Sequence, residues 1–183
     1  MQGHLTMALT ELQKRKFKAA FDSQDLDGSG VLTNRDFDGF LAQIQRGIPV
    51  SGRLISSLHS QWYEIQSKAD LNGDGEVTLE EWYQYLDDVI HDESRFYRQI
   101  MKTIQTLLNS LDTDEDKNIT KQEYVIFSRS VGVGIGDALT AFEKLDSNGN
   151  GSISIDELIG HIEHFYLNED DENAPSNWLF GKF

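Results

Sequence analysis

The sequence predicts an all-α chain of four helix-loop-helix units, joined as two pairs in one compact globule, with a short two-stranded β pairing between the loops of each pair. Three observations predict it. Loops in which oxygen-bearing residues fall at alternate positions recur at 25–36, 70–81, 112–123 and 146–157. Each loop is flanked by segments whose apolar residues return at helical spacing. Position 8 of every loop is aliphatic (Leu32, Val77, Ile119, Ile153), which suits a very short strand that pairs with the partner loop and fills the core beneath it.

The second loop shows the chemistry most plainly. Asp70, Asn72 and Asp74 present side-chain oxygens at positions 1, 3 and 5, the backbone carbonyl of Glu76 follows at position 7, Thr78 acts through a water at position 9, and Glu81 closes the loop with two more oxygens. A hard cation that takes about 6–8 oxygens, Ca²⁺ above all, is what such a cage suits. Gly75 at position 6 permits the positive φ of the sharp turn.

Taken in order, Leu9, Leu12, Phe17, Ala20 and Phe21 mark an entering helix, with Thr10 and Gln13 spaced as a capping box. It leads to the first loop, whose ligands are Asp25, Asp27, Ser29, Val31 (carbonyl), Thr33 and Asp36. Asp36 is one methylene shorter than glutamate and favours one oxygen over two, which lowers coordination toward the six of Mg²⁺, so a mixed Ca²⁺/Mg²⁺ site is expected there. Phe37, Phe40, Leu41 and Ile44 line the exiting helix, expected to end before Gly47-Ile48-Pro49. Leu54, Leu58, Trp62, Ile65 and Ala69 then lead into the second loop, and Trp82, Tyr85, Leu86, Val89 and Ile90 continue beyond it.

Phe96, Ile100, Ile104, Leu107 and Leu111 predict a third entering helix, before a loop with Asp112, Asp114, Asp116, Asn118 (carbonyl), Thr120 and Glu123 as ligands. Lys117 stands where glycine is expected, at a cost on the order of 1–2 kcal/mol if the left-handed turn is kept. Tyr124, Phe127 and Val131 line the next helix, which stops at Gly132-Val133-Gly134-Ile135-Gly136. These glycines lack the preceding strand and the lysine spacing of a phosphate-binding loop. Asp137 is expected to cap a helix with Ala138, Ala141, Phe142 and Leu145, and the fourth loop offers Asp146, Asn148, Asn150, Ser152 (carbonyl), Ser154 and Glu157. Only two of these ligands are charged, so geometry matters more here than Coulomb attraction. In all four loops the residue at position 9 (Thr33, Thr78, Thr120, Ser154) precedes the closing acid by three, the spacing of a capping box that starts the exiting helix.

The formal net charge of −15 opposes non-specific binding to nucleic acid or anionic lipid and suits a protein that collects cations. The chain has no cysteine, which removes disulfides, thiolate metal sites and cysteine nucleophiles and is compatible with a reducing compartment. No apolar run approaches the length of a membrane span, and the first residues lack a signal-peptide core. A cytoplasmic monomer is the expectation, with residues 1–5 loosely ordered ahead of Met7.

Residue by residue, these loops resemble the EF-hand motif over nearly the whole chain. The wide spacing between the first two loops, the lack of a long exposed linker between the pairs, and the tail Ala174-Pro175-Ser176-Asn177-Trp178-Leu179-Phe180-Gly181 resemble the sarcoplasmic calcium-binding proteins, a group that includes calexcitin and the calerythrin-type proteins. The resemblance implies an N-terminal pair at 1–92, a C-terminal pair at 93–167 and a tail at 168–183 that folds back on the body. Members of the group often carry one degenerate loop; this chain keeps four, with blemishes at Asp36 and Lys117. The expected role is a Ca²⁺ buffer or store holding up to four ions, partly Mg²⁺. The alternatives are a calexcitin-like sensor, or a small-molecule carrier like the luciferin-binding proteins. The carboxylates are committed to cages and no catalytic constellation stands beside them, so the chain is read as not an enzyme. His161 and His164 lack further ligands for zinc and are read as ordinary helix residues. Trp62, Trp82, Phe142, Phe165, Tyr166 and Trp178 are read as core before cavity, and 169–172 as a solvated connection.

Overall fold

A computed structural model describes residues 8–181; residues 1–5, expected to be loosely ordered, lie outside the described residues. The element order is α1 (Glu11–Gln24), β1 (Val31–Leu32), α2 (Asn34–Gly47), α3 (Gly52–Ala69), β2 (Val77–Thr78), α4 (Leu79–Ile90), α5 (Glu93–Phe96), a π-helical turn (Tyr97–Met101), α6 (Lys102–Leu111), β3 (Asn118–Thr120), α7 (Lys121–Ser130), α8 (Ile135–Leu145), β4 (Ser152–Ser154), α9 (Ile155–Leu167) and a 3₁₀ turn (Pro175–Trp178). The fold is all-α, with strands confined to the loops. β1 pairs antiparallel with β2, and β3 with β4.

The position-8 residues set the strand register. Leu32 faces Val77 and Ile119 faces Ile153, and all four side chains are buried. The loops are therefore tied in pairs from beneath by aliphatic contact and from the side by ladder hydrogen bonds. Thr10 caps α1 reciprocally with Gln13, while Thr33, Thr78, Thr120 and Ser154 do the same for α2, α4, α7 and α9 with the closing acids of their loops. One short stretch thus starts a helix and positions a carboxylate.

Three local expectations are corrected. Helix α2 runs through Gly47, and Ile48 is its C-cap. A Cβ at Gly47 would lie 1.8 Å from the Ser130 hydroxyl on α7, so glycine is required there for the close approach of two exiting helices from different pairs. The third entering helix is interrupted by the π turn, where the Lys102 N–H reaches back to the Tyr97 carbonyl. The extra residue brings both Ile100 and Met101 into the core, while Ile104 is only half-buried. Asp137 is not the cap of α8: Gly134 occupies that position with no side-chain cap bond, and Asp137 lies in the first turn, where its charge meets the positive end of the helix.

One hydrophobic core runs through both halves. Trp82 donates its indole N–H to the Phe17 carbonyl at 3.1 Å, and Trp62 donates to Asn34 Oδ1 at 2.8 Å. Trp62 also stacks on Phe37, with ring centroids 5.5 Å apart. The segment after α9 returns to the body. Trp178 lies under the Lys144 ammonium, and Phe180 meets Phe165 at 5.2 Å. Residues 169–172 are exposed but tethered, since Thr10 donates to the Glu169 carbonyl and Arg15 pairs with Glu172. Beneath them Lys16 is fully buried and donates its ammonium to the carbonyls of Phe165 and Asn168, closing the C-terminal end of α9. Burial lowers its pKa to about 8 against the opposing pull of Glu172.

Candidate metal centres

The four loops share one hydrogen-bond scheme. The position-1 carboxylate accepts from the N–H groups of positions 5 and 6: Asp25 from Ser29 and Gly30, Asp70 from Asp74 and Gly75, Asp112 from Asp116 and Lys117, Asp146 from Asn150 and Gly151. To present that second N–H the chain turns left-handed at position 6, with φ of 84° at Gly30, 86° at Gly75 and 87° at Gly151. Lys117 takes the same conformation at 65°.

A second left-handed position was missed by the sequence reading. Position 4 also has positive φ, at Gly28, Gly73 and Gly149, and in the third loop it is Glu115 at 59°. The signal was available, since the other three loops all carry glycine there. The third loop therefore holds two non-glycine residues in a region that costs each about 1–2 kcal/mol.

The closing acid is held from two sides. In the second loop Glu81 accepts the Leu71 N–H on one oxygen at 3.1 Å and the Thr78 N–H and hydroxyl on the other at 2.9 Å. Glu123 does the same with Thr113 and Thr120. Although shorter, Asp36 reaches the same places, the Leu26 N–H at 3.1 Å and the Thr33 N–H at 3.0 Å. Glu157 accepts from Ser154, while the amide of Asn148 takes the place of the position-2 N–H at 2.8 Å.

The candidate ligands converge to different degrees. Oxygens of Asp25, Asp27 and Asp36 lie within 4.8 Å of one another, as do those of Asp112, Asp114 and Asp116. In the second loop Asn72 donates to Asp74 at 2.8 Å, and in the fourth Ser152 donates to Asn150 at 3.0 Å, so neighbouring ligand positions are already in contact. Ser29 donates its hydroxyl to the Val31 carbonyl at 3.1 Å. The N–H groups of Glu76 and Asn118 bond Asp74 and Asp116, which places positions 5 and 7 side by side in those loops.

Crowded acids show in the protonation equilibria. Asp114 is shifted upward by desolvation and by the charge of Asp116. Desolvation also pushes Glu123 upward, but the bonds from Thr120 and Thr113 outweigh it and hold the carboxyl below its ordinary value. The Ser154 N–H and hydroxyl lower Glu157 in the same way. Acids that repel one another yet are held ionised by backbone donors suit a divalent cation, and the donor set is all oxygen, as a hard ion requires.

His161 and His164 do not converge. His161 Nε2 contacts the Leu145 carbonyl and the Ser147 hydroxyl, whereas His164 Nδ1 contacts Ser176 in the tail. Of the six aromatic residues singled out from sequence, Trp62, Trp82 and Tyr166 line an apolar cavity of about 150 Å³ between the two halves, which Leu179 and Phe180 of the tail also line.

The EF-hand family profile matches residues 67–86 and 139–160, which contain the second and fourth loops. The two loops outside those stretches are the ones that close on Asp36 and carry Glu115 and Lys117. Calerythrin of Saccharopolyspora erythraea is 25% identical over 166 residues, spanning 86% of this chain and 94% of its own. The luciferin-binding protein of Renilla reniformis is 26% identical over 171 residues, spanning 91% and 92%. In fold, the sarcoplasmic calcium-binding protein from amphioxus superposes with a TM-score of 0.72 at 17% identity, over 96% of this chain and 100% of that one. Loops paired through their position-8 residues, closed by capping acids and lined only with oxygen, together with these likenesses along nearly the whole chain, make this chain similar to the calcium-binding EF-hand proteins of the calerythrin and sarcoplasmic calcium-binding protein type, with the EF-hand profile itself matched at the second and fourth loops.

Proposed function

We propose that the protein is a closed Ca²⁺ buffer or store that takes up to four ions, with Mg²⁺ competing at the loop closed by Asp36. The twenty-four ligand positions identified from sequence would hold the ions. The observation that carries the reading is the placement of the tail: Leu179 and Phe180 lie across the cavity between the halves, where a sensor would keep a groove for its target. The Gly47–Ser130 approach supports it, because α2 and α7, which leave the first and third loops, are packed directly on each other, and opening either unit would have to break that contact. Sensor grooves are rich in flexible methionine, and this chain has three methionines in all, of which Met101 is buried. Ion uptake then relieves carboxylate repulsion and stabilises the fold without creating an apolar surface. We read the chain as a binding protein rather than an enzyme, acting in the cytoplasm as a monomer, in line with relatives named for what they bind.

Calorimetric titration of chelator-treated protein, with and without Mg²⁺ and with a hydrophobic-surface dye present, tests the proposal. Four Ca²⁺ per chain, one of them displaced by Mg²⁺, and dye fluorescence that stays low are expected. Two ions or fewer at saturation would overturn the stoichiometry, and a strong dye signal on Ca²⁺ addition would establish a sensor instead.

One observation favours a second reading as a small-molecule carrier: the Tyr124 hydroxyl is buried at the cavity with only the Ser128 side chain beside it. The volume weighs against a large guest, since pockets for drug-sized ligands run to about 300–1,000 Å³. Saturable quenching of Trp62 and Trp82 by a luciferin would promote this reading, and unchanged tryptophan emission would remove it.

A further inference from the structure

Between the second and third loops the molecule carries a long groove with α3 on one side and the π turn and the start of α6 on the other. We infer that this groove docks an acidic, carboxylate-rich segment of a partner protein, and does so more tightly when Ca²⁺ is bound. Its main hollow has a volume of about 1040 Å³, and past Arg53 and Lys102, which line both parts, it continues into a second hollow of about 610 Å³.

Charge is the first observation. Arg53, Lys68, Arg95, Arg98 and Lys102 line the main hollow, against three acids there, Glu64, Glu81 and Asp88. The whole chain has 31 acidic and 16 basic residues, so a hollow in which cations outnumber acids reverses the balance of the rest of the molecule. None of the five groove cations is ion-paired among the described residues. A concave surface with a local excess of unpaired cations, on a protein of net charge −15, is selective for anionic partners.

The π turn is the second observation. Such turns are rare and are found frequently at functional sites. Here it sends Ile100 and Met101 inward and leaves Arg98 and Gln99 lining the groove. Gln99 donates to Glu64 at 2.7 Å, but its own carbonyl oxygen is buried without a partner.

The distribution of charge selects the occupant. From Arg53 to Lys68 along α3 the cations spread over roughly 22 Å, which suits carboxylates spaced along a peptide rather than one compact phosphate. A bilayer is too flat to enter a groove, and both a bilayer and a duplex carry dense negative charge that the body of the protein repels at range.

The link to calcium rests on the proposed function. Leu71 and Glu81 of the second loop line one end of the groove, and Asp112 and Thr113 of the third loop line the other. A divalent ion in each of those loops would neutralise the acids at both ends and make the whole groove more positive.

The test uses a fluorescent peptide of Ala, Leu and Glu about 16 residues long, matched to the groove at 1.5 Å per helical residue, and its Lys-for-Glu counterpart. Binding is read by anisotropy with Ca²⁺ and with chelator. The Glu peptide is expected to bind the native protein, and a variant reversed outside the groove (Arg46→Glu with Arg129→Glu), several-fold tighter in Ca²⁺ than in chelator. The groove variant Arg53→Glu, Arg98→Glu, Lys102→Glu should lose about tenfold or more. All three reversed side chains are exposed, and circular dichroism checks that the variant folds. Equal or tighter binding of the Lys peptide, or equal losses in the two variants, would overturn the proposal. So would anionic vesicles or inositol hexakisphosphate binding through the groove while the peptide does not. Calorimetry on the same samples separates the two readings. Ion binding without peptide binding removes the groove, peptide binding indifferent to bound Ca²⁺ removes the coupling, and absence of ion binding removes the buffer reading while the chelator arm still judges the groove.

Discussion

Replacing Glu115 and Lys117 by glycine relieves the third loop of both its left-handed side chains, at φ of 59° and 65°. Each costs about 1–2 kcal/mol in that conformation, and each new glycine returns about 0.5–1 kcal/mol by giving the unfolded chain more freedom. The net gain is about 1–2 kcal/mol for the pair, a factor of roughly 5–30 in an equilibrium constant. Where that factor appears depends on when the loop becomes ordered. A loop ordered by the ion shows it as tighter binding, and a loop ordered on folding shows it as a higher melting temperature in chelator. Both are measured, affinity by calorimetry in a background silenced at the other loops by Asp36→Asn, Glu81→Gln and Glu157→Gln, and melting in the otherwise native chain. The reverse exchange in the second loop, Gly73→Glu with Gly75→Lys, should weaken that loop by a similar factor. If neither affinity nor melting moves in the third loop, the backbone strain read there does not exist.

Asp36→Glu should shift the first loop from Mg²⁺ toward Ca²⁺ by adding the second carboxylate oxygen, seen as loss of Mg²⁺ competition in calorimetry; unchanged competition would show that the shorter side chain does not set selectivity. Lys16→Met should cost about 2–3 kcal/mol in denaturant melts, because it leaves two buried carbonyls without a donor. The same lysine makes stability pH-dependent. Below pH 8 it is charged in both states, whereas between about 8 and its ordinary 10.5 the unfolded chain binds the extra proton, so native stability rises through that window and the rise vanishes in Lys16→Met. Tyr85, Tyr124 and Tyr166 oppose this above about pH 10, since burial raises their pKa values and the unfolded chain loses those protons first; a melting profile flat from pH 8 to 10 would contradict the burial of Lys16. Phe180→Ala should cost about 1–2 kcal/mol for the half-buried ring and raise dye fluorescence as the cavity opens, and an unchanged signal would mean the tail does not cover it.

The loops were legible because their chemistry is local. Metal cages, capping acids and strand residues all fall within twelve consecutive positions, so the alternation of oxygen donors, the threonine or serine three residues before the closing acid, and the aliphatic residue at position 8 predict α-helices, caps and register together. The glycines of three loops even held the clue to Glu115, which a comparison at position 4 would have found. Side chains that act across the chain were not legible. Nothing in the spacing of Phe96, Ile100 and Ile104 announces a π turn, because helix phase there follows from which residues the core accepts. Lys16 looks like any surface lysine until α9 and the tail bring two carbonyls to it, and Gly47 looks like a helix stop until Ser130 arrives from the other pair. The groove between α3 and α6 is likewise written in residues from 49 to 113 that share no local pattern. Local donors and turns are decided by neighbours in sequence, whereas burial, close approach and charge segregation are decided by which surfaces the packed halves leave against each other or open to solvent.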